Sequence, residues 1–211
     1  MIGILGGTFD PVHIGHLRCA LEIQQALGLD EVRLIPCHIP PHRPQPVATP
    51  EQRVAMLRAA VNGHPEFVID ERELGREGPS YTLDTLKSFH GEAGHPGLCL
   101  LLGMDSFHSL PTWHRWRELP DYAHIVVMTR PGSAFQEQGV LADFVSRHRV
   151  AGTDQFAKQA AGLLVFHSVT QLEISASCIR GLLASGQGAD FLLPESVLEV
   201  IRNAGLYQQE T

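Results

Sequence analysis

Cysteine is sparse and scattered: Cys19, Cys37, Cys99 and Cys178 are widely separated, with no CxxC spacing. Neither a disulfide framework nor a cysteine-rich metal site is expected, and a reducing, cytoplasmic setting fits. No run approaches the roughly 20 apolar residues of a membrane span. The opening MIGILGGT has neither a basic region nor a cleavage site, so no membrane partner and no targeting step are expected. Basic residues are the minority, 16 Lys+Arg against 23 Asp+Glu for a formal charge of −7. That balance argues against a nucleic-acid partner and leaves any polyanion to a local site. Repeats, low-complexity tracts and clear linkers are missing, as is the GKS or GKT of a Walker loop.

What is present reads as one globular unit of 211 residues with 44% hydrophobic residues, enough for a substantial core. Short apolar runs recur at Ile2 to Leu5, Val32 to Ile35, Phe67 to Ile69, Leu98 to Leu102, Ile125 to Met128 and Leu163 to Phe166. Each suits a strand buried on both faces, as in a parallel sheet. Helically spaced segments such as Leu17-Ala20-Leu21-Ile23-Leu27 lie between them, so the fold class is α/β, a Rossmann-like doubly wound sheet of five or six parallel strands. Gly28 closes the first helix, Pro36 to Pro50 forms a long loop, and helices begin near Ser175 and Pro194. We expect a single domain over 1–211, with a core of about 1–170 and a small C-terminal helical portion of about 171–211.

The first strand ends in Gly6-Gly7-Thr8-Phe9-Asp10-Pro11-Val12-His13-Ile14-Gly15-His16, and a helix follows. At the carboxyl edge of a parallel sheet, glycines let the backbone approach a phosphate and the next helix aims its amides there. His13 and His16 stand three apart at that helix start, so both imidazoles can face one anion and stabilise charge growing during transfer. An HxxH pair could also serve a metallohydrolase, although the glutamate of HExxH is missing. Near the other end, Ser175 suits an N-cap, Ser177 adds a hydroxyl in the first turn, and Arg180 can reach over the same helix start.

GGTFDPVHIGH resembles the phosphate-binding motif of the HxGH nucleotidyltransferase superfamily. Ile174-Ser175-Ala176-Ser177-Cys178-Ile179-Arg180 resembles that superfamily's second motif, with Ser177 in place of the commoner Thr. Over nearly its full length the chain is similar to the nicotinate mononucleotide adenylyltransferase family. The matching stretches include Pro40-Pro41-His42-Arg43, Pro79-Ser80-Tyr81-Thr82, Gly103-Met104-Asp105-Ser106, Leu110-Pro111-Thr112-Trp113, Arg130-Pro131-Gly132 and Gly205-Leu206-Tyr207. The resemblance implies an enzyme converting ATP and nicotinate mononucleotide to deamido-NAD and pyrophosphate, with Mg²⁺ carried mainly by the ATP phosphates. It implies His13, His16 and Arg180 as catalytic residues. Gly6, Gly7, Thr8, Phe9, Gly103, Asp105, Ser175 and Ser177 would hold ATP, Asp105 through the ribose. His42, Arg43, Tyr81, Thr82, Trp113 and Arg130 would hold the mononucleotide, with Thr82 and Trp113 on the nicotinate ring. Trp113 and Trp116, three apart, are expected on one helical face. Relatives acting on phosphopantetheine, flavin mononucleotide or nicotinamide mononucleotide, and a nucleotide sensor without chemistry, are the alternatives.

Overall fold

A computed structural model describes residues 1–40, 44–90, 97–130, 132 and 139–208. Six strands form one all-parallel sheet: β1 (Ile2–Gly7), β2 (Glu31–Pro36), β3 (Phe67–Ile69), β4 (Leu98–Gly103), β5 (His124–Thr129) and β6 (Leu164–Ser168). Their order across the sheet is β3-β2-β1-β4-β5-β6, the doubly wound arrangement that reverses direction between β1 and β4. Pairing between these two strands runs from Ile2–Leu98 to Ile4–Leu100 and ends three residues short of Gly7 and Gly103. A crevice therefore opens at the carboxyl edge where the winding reverses.

The strands alternate between two apolar layers, as a period of two requires. Leu5, Leu34, Leu101 and Val126 face one core, shared with α1 (Ile14–Leu27), α2 (Pro50–Ala60), α6 (Ala176–Ala184) and α7 (Glu195–Asn203). Ile4, Ile35, Leu100 and Val127 face the other, shared with α3 (Thr82–His90), α4 (Met104–Ser109) and α5 (Val140–His148). The C-terminal helices thus belong to the first layer, where α7 packs on α2 through Val197, Leu198 and Ile201.

Helix limits follow from local chemistry. Gly28 ends α1 in the left-handed conformation, with φ 59°, and donates to the Gln24 carbonyl. Thr49 caps α2 by accepting from Gln52 N–H while the Gln52 side chain accepts from Thr49 N–H, and Pro50 takes the first turn. Ser175 caps α6 by accepting from Cys178 N–H at 3.1 Å. Trp113 and Trp116 do not share a helical face. Trp113 has extended backbone (φ −77°, ψ 147°) between two 3-10 turns, and Arg115 is left-handed at φ 50°. Three residues across such a bend do not make one helical turn, and only Trp116 sits fully in the core.

Candidate active site

The segment 8–16 leaves β1 at the crevice and is held by contacts from far along the chain. Arg53 on α2 is buried and donates from Nη1 to the Thr8 carbonyl at 2.9 Å. The Asp10 carboxylate is buried too, accepting from Val47 N–H at 2.8 Å, Ala48 N–H at 3.1 Å and the Tyr207 hydroxyl at 2.6 Å. Burial, then the Asp10 carboxylate, push the Tyr207 phenol well above its ordinary range, so it remains a donor. Arg180 Nη1 donates to the Asp10 carbonyl at 2.6 Å and stands 3.8 Å from its carboxylate. Its Nη2 reaches Ser177 Oγ at 3.3 Å. The two motifs, 170 residues apart, therefore meet at one bond.

Glycines divide into two kinds here. A Cβ on Gly15 would come 3.0 Å from His13 Nδ1, and one on Gly7 would come 3.0 Å from the Phe9 ring. These two lack side chains because the neighbouring rings fill the space. At Gly6 and Gly103 an added Cβ would meet, among the described residues and beyond its chain neighbours, no atom within 4 Å, which suits backbone approached by a ligand across the crevice. Asp105 lies exposed in the first turn of α4, just past Gly103. Phe9 is buried with φ 49° and its ring contacts His16 edge-on, so only its backbone is available to ATP.

His13 precedes α1 and His16 lies in its first turn, their rings stacked with centroids 3.7 Å apart. His16 Nδ1 accepts from His13 N–H at 3.3 Å, which leaves the neutral ring's proton on Nε2. Burial lowers His13 from its ordinary 6.5 to about 4, so at neutral pH it acts as an uncharged imidazole. The unfolded chain binds more protons than the folded one between those values. Stability from this group is complete above about pH 6.5 and is lost as the pH falls toward 4. By pH 5 the loss is about 2 kcal/mol. Urea unfolding at pH 7 and pH 5 is expected to show wild type losing about that much more than His13→Gln; equal losses would place the titration elsewhere.

The residues expected at the mononucleotide fall into three groups. Tyr81 and Thr82 form the corner at which α3 starts, and the Tyr81 ring stacks on His114 with centroids 4.4 Å apart, so Trp113 stands next to that corner. Thr85 N–H and Asp84 N–H bond to the Tyr81 carbonyl, which leaves the Thr82 and Leu83 amides as the helix's first donors without an acceptor in it. Arg130, just beyond β5, donates to Gln171 Oε1 and Glu173 Oε1, beside the loop leading into α6. His42 and Arg43 lie outside the described residues. Asp10, Arg53 and Tyr207 were not expected as site residues. Asp10 and Tyr207 lay within quoted matching stretches, whereas Arg53 gave no signal.

The crevice between β1 and β4, flanked by two linked phosphate motifs, is that of a nucleotidyltransferase. The family model described as Cytidylyltransferase-like matches residues 4–182. The "Probable nicotinate-nucleotide adenylyltransferase" of Aeromonas salmonicida (strain A449) is 49% identical over 209 residues, covering 99% of this chain and 98% of the relative. The protein of the same name from Methylococcus capsulatus is 50% identical over 208 residues, covering 98% and 99%. At this identity and coverage the chain belongs to the nicotinate-nucleotide adenylyltransferase family. The solved structure of Plasmodium falciparum nicotinic acid mononucleotide adenylyltransferase complexed with NaAD shares the fold, with TM-score 0.72 at 18% identity, covering 98% of this chain and 96% of that one.

Proposed function

We propose that this chain transfers the adenylyl group of ATP to nicotinate mononucleotide, giving deamido-NAD and pyrophosphate. The observation that carries the reading is the bond from Arg180 to the Asp10 carbonyl, which joins both phosphate motifs at the crevice. A sensor that held adenosine alone would not need them joined. The names of the full-length relatives support the choice of substrates. The four cysteines form no disulfide with one another, which supports a reducing, cytoplasmic setting, and no described helix is long and apolar enough to cross a membrane.

In this reaction an anionic oxygen of the mononucleotide phosphate attacks the α-phosphorus of ATP in line. A new P–O bond forms as the bond to the bridging oxygen breaks, and pyrophosphate leaves with that electron pair. No protein nucleophile is required, so the chain's work is to align two polyanions and stabilise the charge that shifts between them. The His16 Nε2–H and His13 serve the transferring phosphate. The Ser175-capped start of α6, with Ser177 and Arg180, serves the leaving pyrophosphate. Asp105 takes the ribose hydroxyls, and Gly6, Gly7, Thr8 and Gly103 line the nucleotide's path.

The donor set fits a magnesium ion that arrives on the triphosphate: imidazole, hydroxyl, guanidinium and amide groups hold phosphate oxygens. The loop's own carboxylate, Asp10, is already engaged by Val47, Ala48 and Tyr207. Such an ion supplies further neutralisation of the leaving phosphates.

Selectivity for the acid rests on Thr82. Its amide, at the start of α3, favours a carboxylate by a charge-assisted hydrogen bond plus the helix terminus, whereas a carboxamide is neutral and brings a donor toward a donor. The preference expected is roughly 2–4 kcal/mol, about 30- to 1,000-fold in kcat/KM. Trp113 offers its ring to either pyridine. Pyrophosphate release from ATP, measured with nicotinate, nicotinamide and flavin mononucleotides and with phosphopantetheine, tests the reading. Comparable kcat/KM for acid and amide, or turnover only with another acceptor, would refute it.

A further inference from the structure

Glu73 lies in the turn between β3 and α3, buried and outside the machinery assigned above. Its Oε1 accepts from the Thr85 hydroxyl at 2.5 Å, inside the first turn of α3. The Thr85 oxygen in turn accepts from Arg76 Nη1 at 3.1 Å. Ser80 offsets part of the effect of burial on the same carboxylate. Ser80 is also tied to the loop after β2: its Oγ accepts from His38 N–H at 2.8 Å and its N–H donates to the Ile39 carbonyl at 2.9 Å. His38 Nδ1 lies 3.1 Å from the Arg76 carbonyl, closing the circuit. The carboxylate thus holds Thr85 directly, the circuit through Arg76 and His38 holds Ser80, and the two residues that start the helix, Tyr81 and Thr82, stand between them.

The arrangement is costly without a purpose. Burying a carboxylate carries a desolvation penalty, which raises the pKa of Glu73 against the opposing pull of Thr85, Ser80 and Arg76. A helix start that needed only a cap could obtain one from a surface Ser or Asp. Here the acceptor takes the Thr85 hydroxyl, and the Thr82 and Leu83 amides keep no acceptor within the helix. The first turn is fixed from within while its leading donors remain for something else.

We infer that Glu73 is a positioning residue for the mononucleotide: acting through Thr85, it sets the direction from which the Thr82 amide meets the pyridine carboxylate. This rests on the reading that Thr82 meets the acid group. Glu73 touches no substrate in this role. It acts on one substrate only, because the ATP groups on the 8–16 loop, α4 and α6 are held by other residues.

The test is steady-state kinetics of Glu73→Ala, Glu73→Gln and Thr85→Val with both mononucleotides, alongside thermal unfolding. Misplacement by about an ångström can cost on the order of 10²-fold. Glu73→Ala is therefore expected to raise the KM for nicotinate mononucleotide by about 10- to 100-fold, to lower the acid-to-amide ratio of kcat/KM, and to leave the KM for ATP within about twofold. Thr85→Val is expected to follow it. Glu73→Gln keeps an oxygen for the Thr85 hydroxyl and is expected to recover most of the loss. Equal changes in both KM values, or a lowered melting temperature with no split between substrates, would make Glu73 merely structural and overturn the inference. If Glu73→Ala does not fold, Thr85→Val and Glu73→Gln decide it by the same split. A wild type indifferent to acid and amide would overturn the parent reading of Thr82, whereas a selective wild type whose selectivity survives all three substitutions would overturn the role of Glu73 alone.

Discussion

Replacing His16 by alanine is expected to lower kcat by about 10²–10³, equivalent to about 2.7–4 kcal/mol, with a much smaller change in the KM for ATP. The reason lies in the tautomer. The His13 amide donates to His16 Nδ1, so the neutral ring keeps its proton on Nε2. Such a donor strengthens as negative charge builds on the transferring phosphate, and it adds little to ground-state binding. Rapid-quench and steady-state kinetics with Mg·ATP would measure both constants. A variant with unchanged kcat and a raised KM would make His16 a uniform binder and end the catalytic assignment.

Asp10→Ala is expected to cost about 3–5 kcal/mol of folding stability, because it leaves several donors buried around a missing acceptor. Val47 N–H, Ala48 N–H and the Tyr207 hydroxyl would all lose their partner, and Arg180 would lose the carboxylate 3.8 Å away. Asp10→Asn keeps the shape but turns one NH₂ toward those donors, at a cost of about 1–3 kcal/mol. Tyr207→Phe removes a single hydroxyl donor to a charged group, worth about 1.5–3 kcal/mol. Urea unfolding would rank the three, and ATP affinity measured on the folded fraction is expected to fall in the same order. An Asp10→Ala protein as stable as wild type would show that the loop finds other partners.

The strands were legible because buried parallel strands are written as short apolar runs, such as Leu98 to Leu102 and Ile125 to Met128, alternating with helically spaced segments. The glycines and histidines of the first motif were legible because phosphate chemistry at a strand end asks for those residue types together. The Trp113 and Trp116 expectation failed because a spacing of three implies a shared face only inside a helix. Pro111 and the left-handed Arg115 give the chain a bend there instead. Arg53 was invisible for a related reason: its neighbours Val54 and Leu57 mark the apolar face of α2, and a cation beside them reads as solvated. Its burial depends on the Thr8 carbonyl, 45 residues away. The grip of Tyr207 on Asp10 spans 197 residues and has no local signature. Removing Arg180 would disturb both the Asp10 carbonyl and Ser177 at the start of α6.

That long-range grip has a consequence for the order in which the protein is made. The loop at residues 8–10 leaves the ribosome long before Tyr207, which follows Asp10 by 197 residues. A chain interrupted between Arg180 and Tyr207, by stalled translation or by clipping of the tail, possesses every catalytic side chain yet lacks the hydroxyl that completes the shell around Asp10. Closure of the shell around Asp10 thereby waits for the residues that follow α7. A bulky group attached directly after Tyr207 is expected to disturb the 8–16 loop through the same contact.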